Sequence, residues 1–182
     1  MQLKEFDGKQ WTEIKKIYME AFPKRERKPF FTLKRSVKKG KAKIMIAIEE
    51  EQLLGFVVLI PYNNMVMVDY LAVNSNIRSK GTGSFIIQNV CKLFENKKIV
   101  LLIESIDNFA ENKKQRIARR RFYLKNGFST SSIFIKGTSG EMEVLKYGGI
   151  VSNEEYLDLQ KYALGTLFYK LSNIKIIKKS RA

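Results

Sequence analysis

Apolar residues recur every three to four positions from Trp11 through Ile14 and Tyr18 to Ala21 and Phe22. That spacing predicts an amphipathic helix packed on a core, stopped by Pro23. KPFFTLKRSVKKG predicts a second, short helix, with Pro29 in its first turn and Gly40 just past its end. The period then changes. KIMIAIEE, QLLGFVVLIPY and MVMVDYLAV are apolar runs rich in β-branched and aromatic residues, separated by the charged turn Glu49 to Glu51 and by Tyr62 to Asn64. They read as three strands spaced as antiparallel neighbours. Beyond Gly83, the positions Ile86, Val90, Leu93 and Phe94 predict an amphipathic helix ending near ENKK, and KIVLLIES predicts a buried strand. A basic helix follows from Gln115 to Asn126, SSIFIKG and EMEVLKY pair as a hairpin, and Ser152 with Glu155 forms a capping box that opens a C-terminal helix.

Helices before, between and after strands indicate a mixed α/β, α+β-like domain built on one sheet. At 182 residues the chain is expected to be a single domain spanning 1–182, large enough to bury about two-thirds of its unfolded surface. There are no internal repeats, low-complexity tracts or linkers. The N-terminus MQLKEFDGKQ lacks the apolar stretch of a signal peptide, and no apolar run reaches the roughly 18 residues of a membrane helix, so a soluble, cytoplasmic protein without a membrane partner is expected. One cysteine, Cys91, excludes an intrachain disulfide framework, and Cys91 itself reads as an inert core thiol. With no histidine, neither a zinc site nor a Ser-His-Asp triad is expected, and no metal is predicted. Proton transfer falls to Tyr, Asp, Glu, Lys or water.

Lys and Arg number 34 against 18 acids, a net charge of +16, which favours polyanionic or phosphorylated partners. The charge is concentrated. Ten positive residues lie between Lys24 and Lys43 against Glu26 alone, a second cluster from Lys113 to Lys125 contains the run Arg119, Arg120 and Arg121, and a third follows Lys170. A nucleic acid is a partner this charge permits, although no nucleic-acid motif favours it.

The stretch IRSKGTGSFII, Ile77 to Ile87, joins an apolar strand to an apolar helix through two glycines. A helix opening on a glycine turn presents unpaired backbone N–H groups at its positive end, where a diphosphate can sit; the same residues also serve as a plain turn. A Walker A loop is excluded, because Gly81, Thr82 and Gly83 run directly into Ser84 and Phe85. A Rossmann fingerprint fits poorly. Glu104 lies about 20 residues beyond Gly83, as that fold requires, but Ile86 stands at the third glycine position.

Arg78-x-x-Gly81-x-Gly83, followed by a helix, a strand and a second helix carrying Tyr123-Leu124-Lys125-Asn126-Gly127-Phe128, resembles the GNAT superfamily of N-acetyltransferases. AFPKRERKPF, Ala21 to Phe30, is similar to the helix-one to helix-two junction of a bacterial subgroup. The resemblance covers roughly Leu3 to Tyr147 and implies a GNAT-like fold: a central, mostly antiparallel twisted sheet of six to seven strands flanked by helices, residues 1–147 forming the common core and 148–182 a C-terminal extension with a helix. It departs from the family where Arg116 occupies the position of a frequent Asn and Arg119 that of a small Ala.

The resemblance also implies an enzyme: an amine attacks the thioester of acetyl-CoA, the co-substrate. Backbone N–H groups of Ser79, Gly81, Thr82, Gly83 and Ser84 would hold the pyrophosphate, with Arg78 and Lys80 adding charge. Leu71, Ala72 and Val73 would offer backbone N–H groups to pantetheine and to the oxyanion. Tyr123, whose phenol is ordinarily protonated at neutral pH, is the expected general acid for the thiolate. Asp69, which shares a strand face with Leu71, and Glu104 are the alternative proton acceptors, each also readable as an ion-pair partner of the arginines. The acceptor is expected to be an amine on a small molecule or peptide. The apolar C-terminal helix leaves a homodimer open.

Overall fold

The computed structural model describes residues 1–24, 26–76, 81–138 and 140–178. It divides into two compact units, Met1–Pro61 with Val68–Phe94, and Tyr62–Met67 with Glu95–Ala182.

The first unit holds β1 (Gln2–Glu5), α1 (Trp11–Ala21), α2 (Phe30–Lys38), β2 (Lys43–Glu49), nearly all of β3 (Gln52–Tyr62), the later part of β4 (Met65–Val73) and α3 (Thr82–Leu93). β1 pairs antiparallel with β2 and β2 with β3, with a register shift at Ala47/Ile48. Every β3 residue from Leu53 to Ile60 is buried, which is why that segment reads as an unbroken apolar run and not an alternating one. The core is completed by Ile14, Ile17 and Tyr18 of α1, Phe30 and Leu33 of α2, and Ile86, Ile87 and Val90 of α3. Ala21, expected in the buried stripe, is exposed, because α1 ends there one turn past Tyr18. Cys91 is buried on α3, and burial pushes its thiol up to about 11, as an inert core thiol requires.

Gly55 sets the spacing inside this unit. A Cβ built on it would lie 2.5 Å from the Ala72 carbonyl oxygen, 3.1 Å from Val73 Cα and 3.2 Å from Ile86 Cδ1. Only a residue without a side chain lets β3 lie this close to β4 and α3 together.

The second unit contains the β3–β4 turn, β5 (Lys98–Glu104), α4 (Lys113–Lys125), β6 (Ser129–Gly137), β7 (Gly140–Tyr147), α5 (Asn153–Leu164), α6 (Thr166–Ser172) and β8 (Lys175–Ile177). β7 pairs antiparallel with both β5 and β6, and β6 with β8. The start of β4 lies in this unit, where the Lys98 N–H donates to the Asn64 carbonyl at 3.0 Å, and the strands of this unit follow the order β4-β5-β7-β6-β8.

Among the described residues there are eight strands, where six to seven were expected. β1 and β8 are the additions. They are four and three residues long, too short to carry a readable alternation, and owe their assignment to pairing with β2 and β6. The capping box forms: Ser152 Oγ accepts from the Glu155 N–H at 3.1 Å and Glu155 Oε2 from the Ser152 N–H at 2.9 Å. The C-terminal helix is interrupted, however, because Gly165 takes φ +81° and separates α5 from α6.

Gly55→Ala is expected to lower stability by about 1–3 kcal/mol through overpacking against the Ala72 carbonyl, read as a lower urea midpoint at unchanged slope.

Candidate active site

Within β4 the alternation places Val68, Tyr70 and Ala72 in the core and leaves Asp69, Leu71 and Val73 partly exposed. Asp69 and Leu71 therefore share a face, as expected. After β4 the chain reaches Gly81, whose φ of +110° is open to glycine and strained for other residues, and α3 begins at Thr82. Thr82, Gly83 and Ser84 form its first turn, which holds no acidic side chain and no side-chain cap; the first intrahelical bond runs from the Phe85 N–H to the Gly81 carbonyl at 2.8 Å. First-turn N–H groups have no intrahelical acceptor and carry the positive end of the helix dipole, so this terminus suits an anion. Arg78, Ser79 and Lys80 lie outside the described residues.

A second cluster in the same unit joins β4 to the connection between α1 and α2. Lys28 Nζ lies 2.9 Å from Asp69 Oδ1 and 2.8 Å from Oδ2, and 5.7 Å from the centroid of the Tyr70 ring. The backbone of Lys28 is fastened on both sides: its N–H donates to Tyr70 Oη at 3.1 Å, and its carbonyl accepts from Tyr18 Oη at 3.0 Å. Tyr18 and Tyr70 pack edge-on at 4.9 Å, and burial raises both phenols above their usual range. Arg27 steadies the preceding turn by donating to the carbonyls of Met19 and Phe22.

In the second unit, Tyr123 stands in the last turn of α4, and the residues after it explain its position. The Gly127 N–H bonds to the Leu124 carbonyl at 3.1 Å and the Phe128 N–H to the Tyr123 carbonyl at 3.1 Å, with Gly127 at φ +88°. This is a Schellman stop, completed by the usual apolar contact: the Phe128 ring meets the Tyr123 ring at 5.7 Å. Asn126 Nδ2 closes the end on the Phe122 carbonyl. Thus the YLKNGF segment is a helix terminator that locks the Tyr123 side chain between Phe122 and Phe128. Burial pushes the Tyr123 phenol up to about 12, partly offset by Arg119, so it holds its proton at neutral pH.

Glu104 sits at the other end of α4. It accepts from Asn112 Nδ2 at 3.1 Å and from Arg116 Nη2 at 3.1 Å and Arg119 Nη1 at 3.3 Å. Arg116 also bonds Asn112 Oδ1 and the Ser105 carbonyl. The two arginines that interrupt the expected α4 pattern are thus a matched pair around one carboxylate. Arg120 makes a similar fork on the buried Glu143, through Nε at 2.9 Å and Nη2 at 3.2 Å.

A family model described as an acetyltransferase (GNAT) domain matches residues 40–130, half of the chain. The chain belongs to the GNAT acetyltransferase family. No curated protein matches it in sequence. Among solved structures, this GNAT protein is similar to a putative acetyltransferase of the GNAT family from Bacteroides thetaiotaomicron, at 18% identity and a TM-score of 0.72, covering 93% of this chain and 99% of that one. It is also similar to the aminoglycoside 6'-N-acetyltransferase from Enterococcus faecium, at 15% identity and a TM-score of 0.62, covering 80% and 96%. A GNAT acetyltransferase from Elizabethkingia anophelis with acetyl-CoA bound is similar at 16% identity and a TM-score of 0.57, covering 80% and 95%. These likenesses show the fold: mixed α/β around a mostly antiparallel sheet.

Sequence reasoning about this GNAT chain singled out Tyr123, Asp69, Glu104 and the α3 turn. It missed Lys28, Tyr18, Tyr70 and Asn112 as polar partners. Lys28 was one of ten positive residues in its run, with nothing local to distinguish it, whereas Asn112 was findable four residues before Arg116 on one helix face.

Tyr18, Tyr70, Tyr123 and Tyr156 all have phenols raised by burial above the ordinary value of 10.0. The folded chain therefore keeps protons that the unfolded chain releases above pH 10, so the stability these groups contribute is full below pH 10 and falls as pH rises from there. Urea midpoints measured across this range should decline, and Tyr123→Phe should make the decline shallower by removing one such group.

Proposed function

We propose that the protein is an acetyl-CoA-dependent N-acetyltransferase that moves the acetyl group to a primary amine by direct attack, with Tyr123 as general acid. The observation that supports this reading is the Schellman stop, which holds Tyr123, the residue for which the family resemblance implies an acid, as a buried, protonated phenol ring-packed on both sides.

The residues present suit the co-substrate. Gly81 in the left-handed region and a first turn without carboxylates give α3 an N-terminus whose dipole suits a pyrophosphate, which the backbone N–H groups of Thr82, Gly83 and Ser84 would hold. Acetyl-CoA, when bound, supplies an activated acyl group on a thiol leaving group. The fold relative with acetyl-CoA bound supports that donor. The chain's own residues do the rest. Backbone N–H groups at Leu71, Ala72 and Val73 would meet pantetheine and the acetyl oxygen, and Tyr123 Oη would deliver a proton to the departing sulfur. Asp69 receives a proton from the incoming ammonium. Glu104, already accepting from Asn112, Arg116 and Arg119, orients those side chains.

The acceptor class is a primary amine on a small molecule or peptide; a fold relative named for aminoglycoside 6'-N-acetylation supports the former. A polyanion such as nucleic acid is less favoured, because Arg116, Arg119 and Arg120 are turned inward onto Glu104 and Glu143.

Acetyl-CoA at about a hundred times its dissociation constant should add roughly 2.7 kcal/mol and raise the thermal midpoint by several degrees, with NAD producing no shift. Absence of any shift at millimolar acetyl-CoA overturns the reading. Tyr123→Phe should keep the shift while lowering kcat by about 100-fold in an amine screen that follows free thiol, within the usual range for loss of a general acid. An unchanged kcat removes Tyr123 from the chemistry.

A further inference from the structure

We propose that Lys28 is an internal acceptor: its amine takes an acetyl group from acetyl-CoA bound to the same chain, and the resulting acetyl-lysine releases Asp69. The inference rests on the acetyl-CoA reading above.

The reasoning starts from the chemistry of the Lys28 side chain. It is an alkyl primary ammonium, the class of group that the proposed reaction consumes, and it rests 2.8 Å from Asp69 Oδ2 and 2.9 Å from Oδ1. Asp69 is the carboxylate two residues before Leu71 on the same strand and face, about 6.6 Å along β4. An intramolecular amine held beside the group that receives its proton, on the strand proposed to hold the acetyl oxygen, gains the advantage of proximity over any amine arriving from solution.

The placement of Lys28 is specific to its position in the chain. Tyr70 Oη accepts from its N–H and Tyr18 Oη donates to its carbonyl, so two buried phenols fasten the backbone of one loop residue. The side chain runs from the Tyr70 side of β4 to Asp69, past an aromatic face. The position of this lysine is set by the two tyrosine hydrogen bonds to its backbone, and not by the partly exposed ion pair alone. The Lys28 side chain is 36% exposed, so it is accessible to a donor while it rests beside Asp69.

The step balances. An N–C bond forms between Lys28 Nζ and the acetyl carbonyl carbon, and the C–S bond of the thioester breaks. Of the three ammonium protons, one stays on the amide nitrogen, one ends on the CoA sulfur and one passes through Asp69 to water. The amide is neutral and cannot form an ion pair with Asp69, whose carboxylate then faces an external ammonium in the place Lys28 held. Lys28 in its free form blocks this site, and in its acetylated form opens it.

The test is to incubate the full chain with acetyl-CoA and no added amine, then map acetylation by peptide mass. Lys9 is the internal reference: it is 81% exposed and lies 3.6 Å from Asp7, so it reports what exposure and a neighbouring carboxylate do without a positioned donor. Lys28 should be modified at least about tenfold faster than Lys9, a modest fraction of the proximity effect open to a held amine. Asp69→Asn should remove that preference, and heat-unfolded chain should show none. Lys28→Arg, which keeps the positive charge beside Asp69, should abolish the mark without loss of the thermal shift by acetyl-CoA. A wild-type chain whose midpoint rises with acetyl-CoA but whose Lys28 is modified no faster than Lys9 overturns this inference and leaves the proposed function standing. A chain that shows no thermal shift overturns both.

Discussion

The absence of a side chain at Gly55 is the constraint on which the first unit depends. The Ala72 carbonyl, Val73 Cα and Ile86 side chain all press on the space a Cβ would fill, so one position of β3 fixes both the end of β4 and the second turn of α3. The Asn74 N–H, donating to the Leu54 carbonyl at 2.8 Å, carries the β3–β4 pairing to the end of the strand. The backbone at Ala72 and Val73 and the second turn of α3 are therefore held by the same close packing. Backbone donors are effective only when they need not reorganise, and close packing of this kind supplies that rigidity.

Buried tyrosines supply the next level of organisation. Tyr18 and Tyr70 use their hydroxyls to fasten the Lys28 backbone, Tyr156 accepts from Gln160 Nε2 at 2.7 Å, and Tyr123 is clamped by the rings on either side. A phenol brings a large apolar body and one polar atom, so it packs like a core residue while still offering a proton or a lone pair. In a chain without histidine these groups are the neutral proton donors the fold can bury cheaply. Desolvation keeps them protonated, which suits them to donate and disqualifies them as bases near neutral pH.

The large positive charge has a similar internal explanation in part. Arg116 and Arg119 share Glu104, and Arg120 grips Glu143, whose side chain is only 6% exposed. A guanidinium fork satisfies both oxygens of a carboxylate in a fixed geometry, which is why arginines suit these positions. The Arg119–Arg121 run looks in one dimension like a polyanion-binding stripe, but helix geometry turns Arg119 toward Glu104 and Arg120 toward Glu143. Only the surplus outside such pairs bears on the choice of partner.

The sequence alone was sufficient for every signal carried by neighbours in the chain. Unbroken apolar runs marked β2 to β5, the 3.6-residue stripe marked α1 and α3, and Ser152 and Glu155 marked the start of α5, because each depends on local backbone chemistry. The family motifs were legible for the same reason: the glycine turn and the Tyr-to-Phe segment are short-range devices that open one helix and close another. Tertiary structure decided the rest. β1 and β8 exist through pairing with strands distant in sequence, Glu104 gained its partners by the folding of α4 back over β5, and Lys28 was set apart from its basic neighbours by tyrosines 10 and 42 residues away. A residue's own spacing says what it can bond with, but which of many equivalent lysines or carboxylates is held in place depends on side chains that meet only when the chain closes on itself.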